Sequence, residues 1–355
     1  MKRVLLLQDQ IPHYRIPVFN MLNKEVDLTV VYSKGSVPDT AEFQTKKIEM
    51  IGFHGYKCYK ASLRRLLKNF DTLIAPFDFG RMDVLALLKK KQRKIDIILW
   101  GIGVPASYDV RYDSTSEYDH KWLSLINAAD RVLFYSDYPI QKYIKLGVSA
   151  EKMYVAQNTV LVNQTEFSET RNSFLFVGSL YKQKKIMELL EQYYEAYHEE
   201  NSMPILNIIG EGEEFDRLQC YIDEKKLYGK VHLIGGIYDE EKLEKYFSSA
   251  LLCISPDQAG LSVLKSMGYG VTFVTMKNAI TGGEIFNIEN DKTGILLNDL
   301  SELKGVMVDA VKNPEKYIKI GYNAYRHYHE NRAVSNMVKG FIDAIYSSAK
   351  KGDMK

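Results

Sequence analysis

Residues Ser255 to Gly270 read SPDQAGLSVLKSMGYG, and they follow the apolar run Leu251-Leu252-Cys253-Ile254. That run is short and bounded by turn residues, which predicts a buried strand. Pro256 and Gly260 predict a turn. Leu261, Leu264 and Met267 then recur every third residue, on one face of a helix that Gly268 and Gly270 close. A helix start carries unpaired backbone N–H groups and a partial positive charge, which together can seat a phosphate. Gly260 would let a ligand approach the backbone there, and Ser262 adds a hydroxyl donor. The same residues also suit an ordinary strand-to-helix connection.

On both sides of this unit the chain alternates apolar strands with helical segments. Val4 to Leu7, Leu28 to Tyr32, Thr72 to Ala75, Ile95 to Leu99 and Val132 to Ser136 are the strands of a first half. Phe174 to Val177, Leu206 to Ile209, Val231 to Gly235 and Val271 to Thr275 are those of a second. Such alternation predicts parallel, doubly wound sheets. A polar linker, Leu161 to Asn172, separates the halves, and 355 residues suit two cores better than one. The expected fold is therefore α/β, with two Rossmann-like domains facing across a cleft, where ligands tend to lie. The expected boundaries are 1–165 for the first domain, 166–330 for the second and 331–355 for a final helix; the family resemblance described below implies that the first is acceptor-side, the second donor-side, and that the final helix crosses back to the first.

Composition narrows the partners. A net charge of +2 is too small to imply nucleic-acid binding. Cys58, Cys220 and Cys253 lie far apart without metal or disulfide spacing, which fits a reducing compartment. No uninterrupted apolar stretch approaches the ~20 residues of a membrane span, so a cytoplasmic protein is expected. Arg64, Arg65 and Lys68, and the run Lys89 to Lys94, are basic helical patches. They suit solvated helix ends, and also peripheral contact with an anionic inner membrane face.

The stretch around Gly260 resembles the donor-diphosphate segment of the family 4 glycosyltransferases, in glycosyltransferase group 1, which have the two-domain GT-B fold. The family pattern is roughly E-G-F-G-L-x-x-L-E-A-M-A-x-G-x-P-V. Gly260, Leu261, Leu264, Met267 and Gly270 match it by position, while Asp257 and Lys265 stand at its two glutamates. Gly178-Ser179-Leu180, followed by Lys184, is similar to the family's V-G-R-L-x-x-x-K-G. There Lys184 matches the lysine, Ser179 replaces the arginine, and Lys185 replaces the last glycine. The resemblance implies that Lys184 neutralises a donor diphosphate, with Lys182, Lys185 or Lys265 as sources of a second cation. Gly210 and Gly212 resemble the family's G-x-G beside the nucleotide, and Tyr238 stands where backbone groups usually meet the base. Glu284, after Gly282-Gly283, resembles the late element that helps hold the donor. Lys184, Glu284 and Asp257 are thus the catalytic candidates.

The first half supplies acceptor-side candidates: Asp9, His13, Tyr14 and Arg15 after the first strand, and Asn158 before the linker. Trp100, Gly101 and Gly103 belong to a turn that resembles a family W-G-H-G, with Ile102 in place of the histidine. Isoleucine neither donates nor accepts a proton, so that histidine's role is absent or has moved.

The resemblance implies a retaining glycosyltransferase that moves a sugar from a nucleotide-sugar to a glycan or lipid-linked acceptor, in cell-surface polysaccharide biosynthesis. Its donor would be UDP- or GDP-linked, a substrate rather than a cofactor. No Asp-x-Asp triplet occurs in the chain, so no metal is expected. A nucleotide-dependent oxidoreductase would need G-x-G-x-x-G after the first strand, and Gln8 to Arg15 contains no glycine. A degenerate GT-B protein that binds a sugar nucleotide or partner without turnover stays open beside the enzyme.

Overall fold

A computed structural model describes residues 1–90, 93–107, 110–114, 119–163 and 166–347. In chain order the strands of the first half are β1 (Arg3–Leu7), β2 (Asp27–Tyr32), β3 (Gln44–Lys47), β4 (Met50–Phe53), β5 (Tyr56–Tyr59), β6 (Thr72–Pro76), β7 (Asp96–Gly101), β8 (Arg131–Phe134) and β9 (Met153–Val155). Its helices are α1 (Ile16–Asn23), α2 (Leu63–Leu66), α3 (Met82–Leu88), α4 (Asp119–Ala128) and α5 (Tyr138–Lys145). The second half holds β10 (Ser173–Val177), β11 (Ile205–Ile209), β12 (Val231–Gly235), β13 (Ala250–Ile254), β14 (Gln258–Ala259), β15 (Thr272–Met276), β16 (Ile280–Thr281) and β17 (Ile295–Leu297). The helices there are α6 (Ile186–Glu199), α7 (Phe215–Glu224), α8 (Glu240–Ser249), α9 (Leu261–Gly268), α10 (Glu302–Lys312) and α11 (Pro314–Asn331), and α12 (Val334–Tyr346) ends the described chain.

The chain divides into two compact units. One comprises 1–105, 113–161 and 334–355; the other comprises 106–112 and 162–333. Helix α12 therefore belongs to the first unit, where Phe341 packs on Trp100 with ring centroids 4.8 Å apart. A Cβ on Gly340 would lie 2.1 Å from the Val155 carbonyl oxygen, so only glycine lets α12 come this close to β9.

The first unit is a seven-stranded sheet, ordered β3-β2-β1-β6-β7-β8-β9, and every pairing in it is parallel. Its central strands are apolar on both faces because helices cover both. Leu5, Leu7, Leu73, Leu99 and Val132 pack on one side. Val4, Leu6, Ile74, Ile98 and Leu133 pack on the other, against α1 and α12. β4 and β5 form an antiparallel hairpin outside this sheet.

The second unit repeats the design with six strands, β12-β11-β10-β13-β15-β17, again all parallel. Strand order reverses between β10 and β13, and in such sheets the crevice outside the strand ends at that reversal is where ligands bind. The loops that start there are Gly178 to Lys185 and Ser255 to Gly260. Gln258 and Ala259 pair in parallel with Ile280 and Thr281, which draws the loop ending at Glu284 alongside the start of α9.

Candidate nucleotide-sugar site

The turn after β10 is built by close backbone approach. A Cβ on Gly210 would sit 1.8 Å from the Gly178 carbonyl oxygen, and one on Gly212 would sit 2.4 Å from that of Leu180. Backbone bonds tie the strand ends together, from Gly178 N to the Ile209 oxygen at 3.0 Å and from Leu180 N to the Glu211 oxygen at 2.8 Å. The three glycines are thus spacers. Ser179 is exposed within this turn.

Lys184 doubles back beneath Gly178, so that a Cβ on that glycine would lie 2.6 Å from the lysine Nζ. Its ammonium lies 6.0 Å from the Phe176 ring centroid. Among the described residues it has no carboxylate within salt-bridge reach. Burial without a counter-charge pulls its pKa down to about 8. Lys185 differs. It takes a left-handed backbone, φ 53°, at the N-terminus of α6, at the position where the family pattern has glycine. Its Nζ lies 3.0 Å from Asp257 Oδ2 and joins the two crevice loops. Asp257 also accepts the Ile280 N–H through its backbone oxygen at 2.9 Å.

Gly260 caps α9, and a Cβ there would meet nothing within 4 Å. Space is therefore open before the helix, whose first amides have no side-chain cap. Ser262 and Leu261 are half-buried. Val263, Leu264 and Met267 form the buried face, so the apolar stripe includes Val263, where spacing by three placed Leu261. Gly270, at φ +67°, follows the helix as its glycine stop.

The expected second cation at Lys265 is corrected. Lys265 pairs with Glu240 at the start of α8, so it supplies no free cation. Glu284 is buried, and its carboxylate accepts the Gly282 N–H at 2.9 Å. The same turn is knit by Thr281, whose hydroxyl donates to the Ala259 oxygen at 2.7 Å and accepts the Gly283 N–H at 3.1 Å. Glu284 thus helps hold the turn beside α9. Tyr238 is 76% exposed, with its hydroxyl 3.4 Å from Glu211 Oε2.

In the first unit the candidates separate into two groups. Asp9 accepts from Lys57 Nζ at 2.6 Å, and Lys57 also lies 3.4 Å from Asp78. Arg81, fully buried, stands 3.7 Å from Asp9 and 3.2 Å from Asp83. Asp9 is therefore already neutralised at the reversal between β1 and β6. Neither Lys57 nor Arg81 was legible beforehand, because the hairpin that delivers Lys57 carries no motif. The second group centres on Arg15, buried with its guanidinium 4.9 Å from the Trp100 ring, 5.2 Å from Tyr135 and 5.2 Å from Tyr14.

Trp100 is 3% exposed and packs on Phe19 and Phe341, so its ring is core, while its Nε1–H is left without an acceptor among the described residues. Its ring points to the α1 and α12 side of the sheet, whose cover is remote in sequence. Gly101 and Gly103 are steric necessities. A Cβ on Gly101 would come 2.9 Å from Phe77 Cβ, and one on Gly103, at φ +84°, 2.4 Å from the Phe134 ring. His13 is exposed and Tyr14 half-buried. Asn158 donates its backbone N–H to the Tyr135 oxygen at 2.9 Å. In the basic run Lys89 to Lys94, Lys91 and Gln92 lie outside the described residues. Among the described residues no helix is long and apolar enough to cross a membrane.

The family described as glycosyl transferases group 1 matches residues 158–327, which contain every donor-side candidate above. No curated protein matches the chain. The chain is similar in fold to Anabaena HepE in complex with UDP, at 15% identity, TM-score 0.70, covering 97% of this chain and 99% of that one. A glycosyltransferase from Rickettsia africae superposes with TM-score 0.71 at 14% identity, covering 99% of both chains. S. aureus TarM, in a complex with fondaparinux, alpha-GlcNAc-glycerol and UDP, gives TM-score 0.67 at 11% identity, covering 98% of this chain and 100% of that one. The second unit thus carries the glycosyl transferases group 1 domain, and the chain is a glycosyltransferase with the GT-B fold.

Proposed function

We propose that the chain is a family 4 enzyme, retaining and metal-independent, that transfers a sugar from a UDP- or GDP-sugar to a glycan or lipid-linked acceptor in cell-surface polysaccharide biosynthesis. The observation that carries this reading is the unpaired, partly buried ammonium of Lys184 at the strand-order reversal of the second sheet. It sits in the same crevice as the uncapped, unobstructed start of α9. As the bond from the anomeric carbon to the diphosphate oxygen breaks, negative charge grows on the leaving group. A cation and helix amides already in place stabilise that charge without reorganising. The acceptor hydroxyl forms the new bond from the same face, and its proton passes to the leaving phosphate. UDP in HepE and TarM supports the nucleotide, and alpha-GlcNAc-glycerol in TarM supports a glycan-like acceptor.

The enzyme works at the inner face of the membrane in this reading. The hairpin β4–β5 carries Ile51, Phe53 and Tyr56 with more than half of each exposed, and the exposed cations Arg64, Arg65 and Lys68 follow it. Apolar tips beside cations suit an anionic lipid surface. Sedimentation with anionic vesicles but not with neutral ones is the expected result; equal sedimentation with both removes the membrane contact.

Binding without turnover is the second reading, favoured by the engagement of Asp257 with Lys185 and of Lys265 with Glu240. Release of nucleoside diphosphate from a panel of UDP- and GDP-sugars, with Lys184→Ala as control, decides between the two. Turnover that needs Lys184 supports the enzyme. Binding without release supports the second reading, and turnover indifferent to Lys184 contradicts the diphosphate assignment.

A further inference from the structure

We propose that Arg15 and Trp100 form a seat in the first unit for an oxyanion, the carboxylate or phosphate of an anionic acceptor. The inference rests on the glycosyltransferase reading for the word acceptor, and on the first unit alone for the site. Arg15 is 3% exposed, and a guanidinium has five N–H donors. Its one hydrogen bond among the described residues goes from Nη1 to Met337 Sδ at 3.2 Å, a weak acceptor. Around it stand the rings of Trp100, Tyr135 and Tyr14, and no carboxylate among the described residues pairs with it. Buried charges are normally paired and hydrogen-bonded. Arg81 and Arg131 in the same unit each have a carboxylate partner, Asp83 and Asp96. Arg15 does not.

A buried donor without a partner lies beside it. The Trp100 indole Nε1–H is buried with no acceptor among the described residues, and that ring centroid is 4.9 Å from the guanidinium carbon. Trp100 is the penultimate residue of β7, Tyr135 follows β8, and Arg15 lies beyond β1, so all three gather at the carboxyl ends of parallel strands, where ligands bind in open α/β sheets. An oxyanion supplies what both donors lack, charge for one and an acceptor for each. A neutral sugar supplies only the acceptor.

The chain has two tryptophans, so Trp122→Phe leaves Trp100 as the single reporter. Its emission is titrated in saturating UDP with methyl glucuronide against methyl glucoside, and with geranyl diphosphate against geraniol. Either anion should change the emission saturably while its neutral analogue is silent, and the responding anion separates a uronosyl acceptor from a lipid diphosphate. Arg15→Met should weaken that response at least tenfold while the thermal shift given by UDP persists. Silence of both anions, or equal responses from anion and neutral analogue, overturns the proposal. This comparison runs on a chain with Arg15 intact, so it does not depend on the folding of Arg15→Met. Failure of UDP to bind while the anion still registers would sink the donor site instead and leave this one standing.

Discussion

Lys185 Nζ lies 3.0 Å from Asp257 Oδ2, and this pair joins the loop after β10 to the loop after β13. The lysine holds a left-handed φ of 53° to do so, a conformation that costs a non-glycine residue roughly 1–2 kcal/mol. A partly exposed ion pair returns only ~0.2–1 kcal/mol. The position therefore favours connecting the loops over stability. Lys185→Gly should be more stable than Lys185→Ala by about 1 kcal/mol, because both lose the pair and only alanine keeps the strain. Urea denaturation of the two variants checks this.

Among the described residues Lys184 has no such partner. Lys184→Ala should lower kcat/KM by ~10²-fold or more, the scale of losing a preorganised transition-state donor. The melting temperature should not fall, since a charge that burial disfavours is removed. A matched panel of turnover and thermal unfolding measurements shows both. A fall in stability with turnover intact would place the lysine in the fold instead of the chemistry.

Burial holds the Lys184 pKa at about 8, and two pH effects follow with opposite senses. In the free enzyme kcat/KM should decline as pH rises through 8 and the ammonium is lost. Stability should move the other way. The folded value lies below the unfolded lysine value of about 10.4, so between the two the unfolded chain binds more protons and folding gains with rising pH. Lys184→Met should abolish that gain. Chemical denaturation at stepped pH on both proteins measures the difference.

Glycines in this site divide by what they face. Gly210→Ala would place a Cβ 1.8 Å from the Gly178 carbonyl oxygen, and backbone cannot yield as a side chain does. Destabilisation at the upper end of overpacking, roughly 3 kcal/mol, is expected. Gly260→Ala meets nothing within 4 Å, so its melting temperature should change little. Its added methyl would stand where the phosphate approaches, and UDP affinity should fall at least ~10-fold, a cost of about 1.4 kcal/mol. Calorimetric titration of the two variants separates spacer from ligand seat.

The fold was legible because each core strand is a short apolar run ended by a turn residue, as in Ala250–Ile254 before Pro256 and Phe174 to Val177 before Gly178. A doubly wound sheet needs little more than that order. Gly260 and Gly270 marked the limits of α9 from their residue types alone. Side-chain partners were not legible. Lys265 and Glu240, or Lys57 and Asp9, meet through contacts between separate elements that no local pattern encodes. The burial of Trp100 depends on Phe341 of α12, far along the chain, and alternation along β7 cannot tell which face receives that helix.

The central claim is that the turn carrying Gly178 to Lys184 and the start of α9 together hold the donor diphosphate. Amide hydrogen exchange of the intact protein, with and without saturating UDP or GDP, tests it most directly. Protection concentrated in residues 178–186 and 258–264 is the predicted result. Protection confined to other segments, with these two unchanged while the nucleotide is bound, would contradict it.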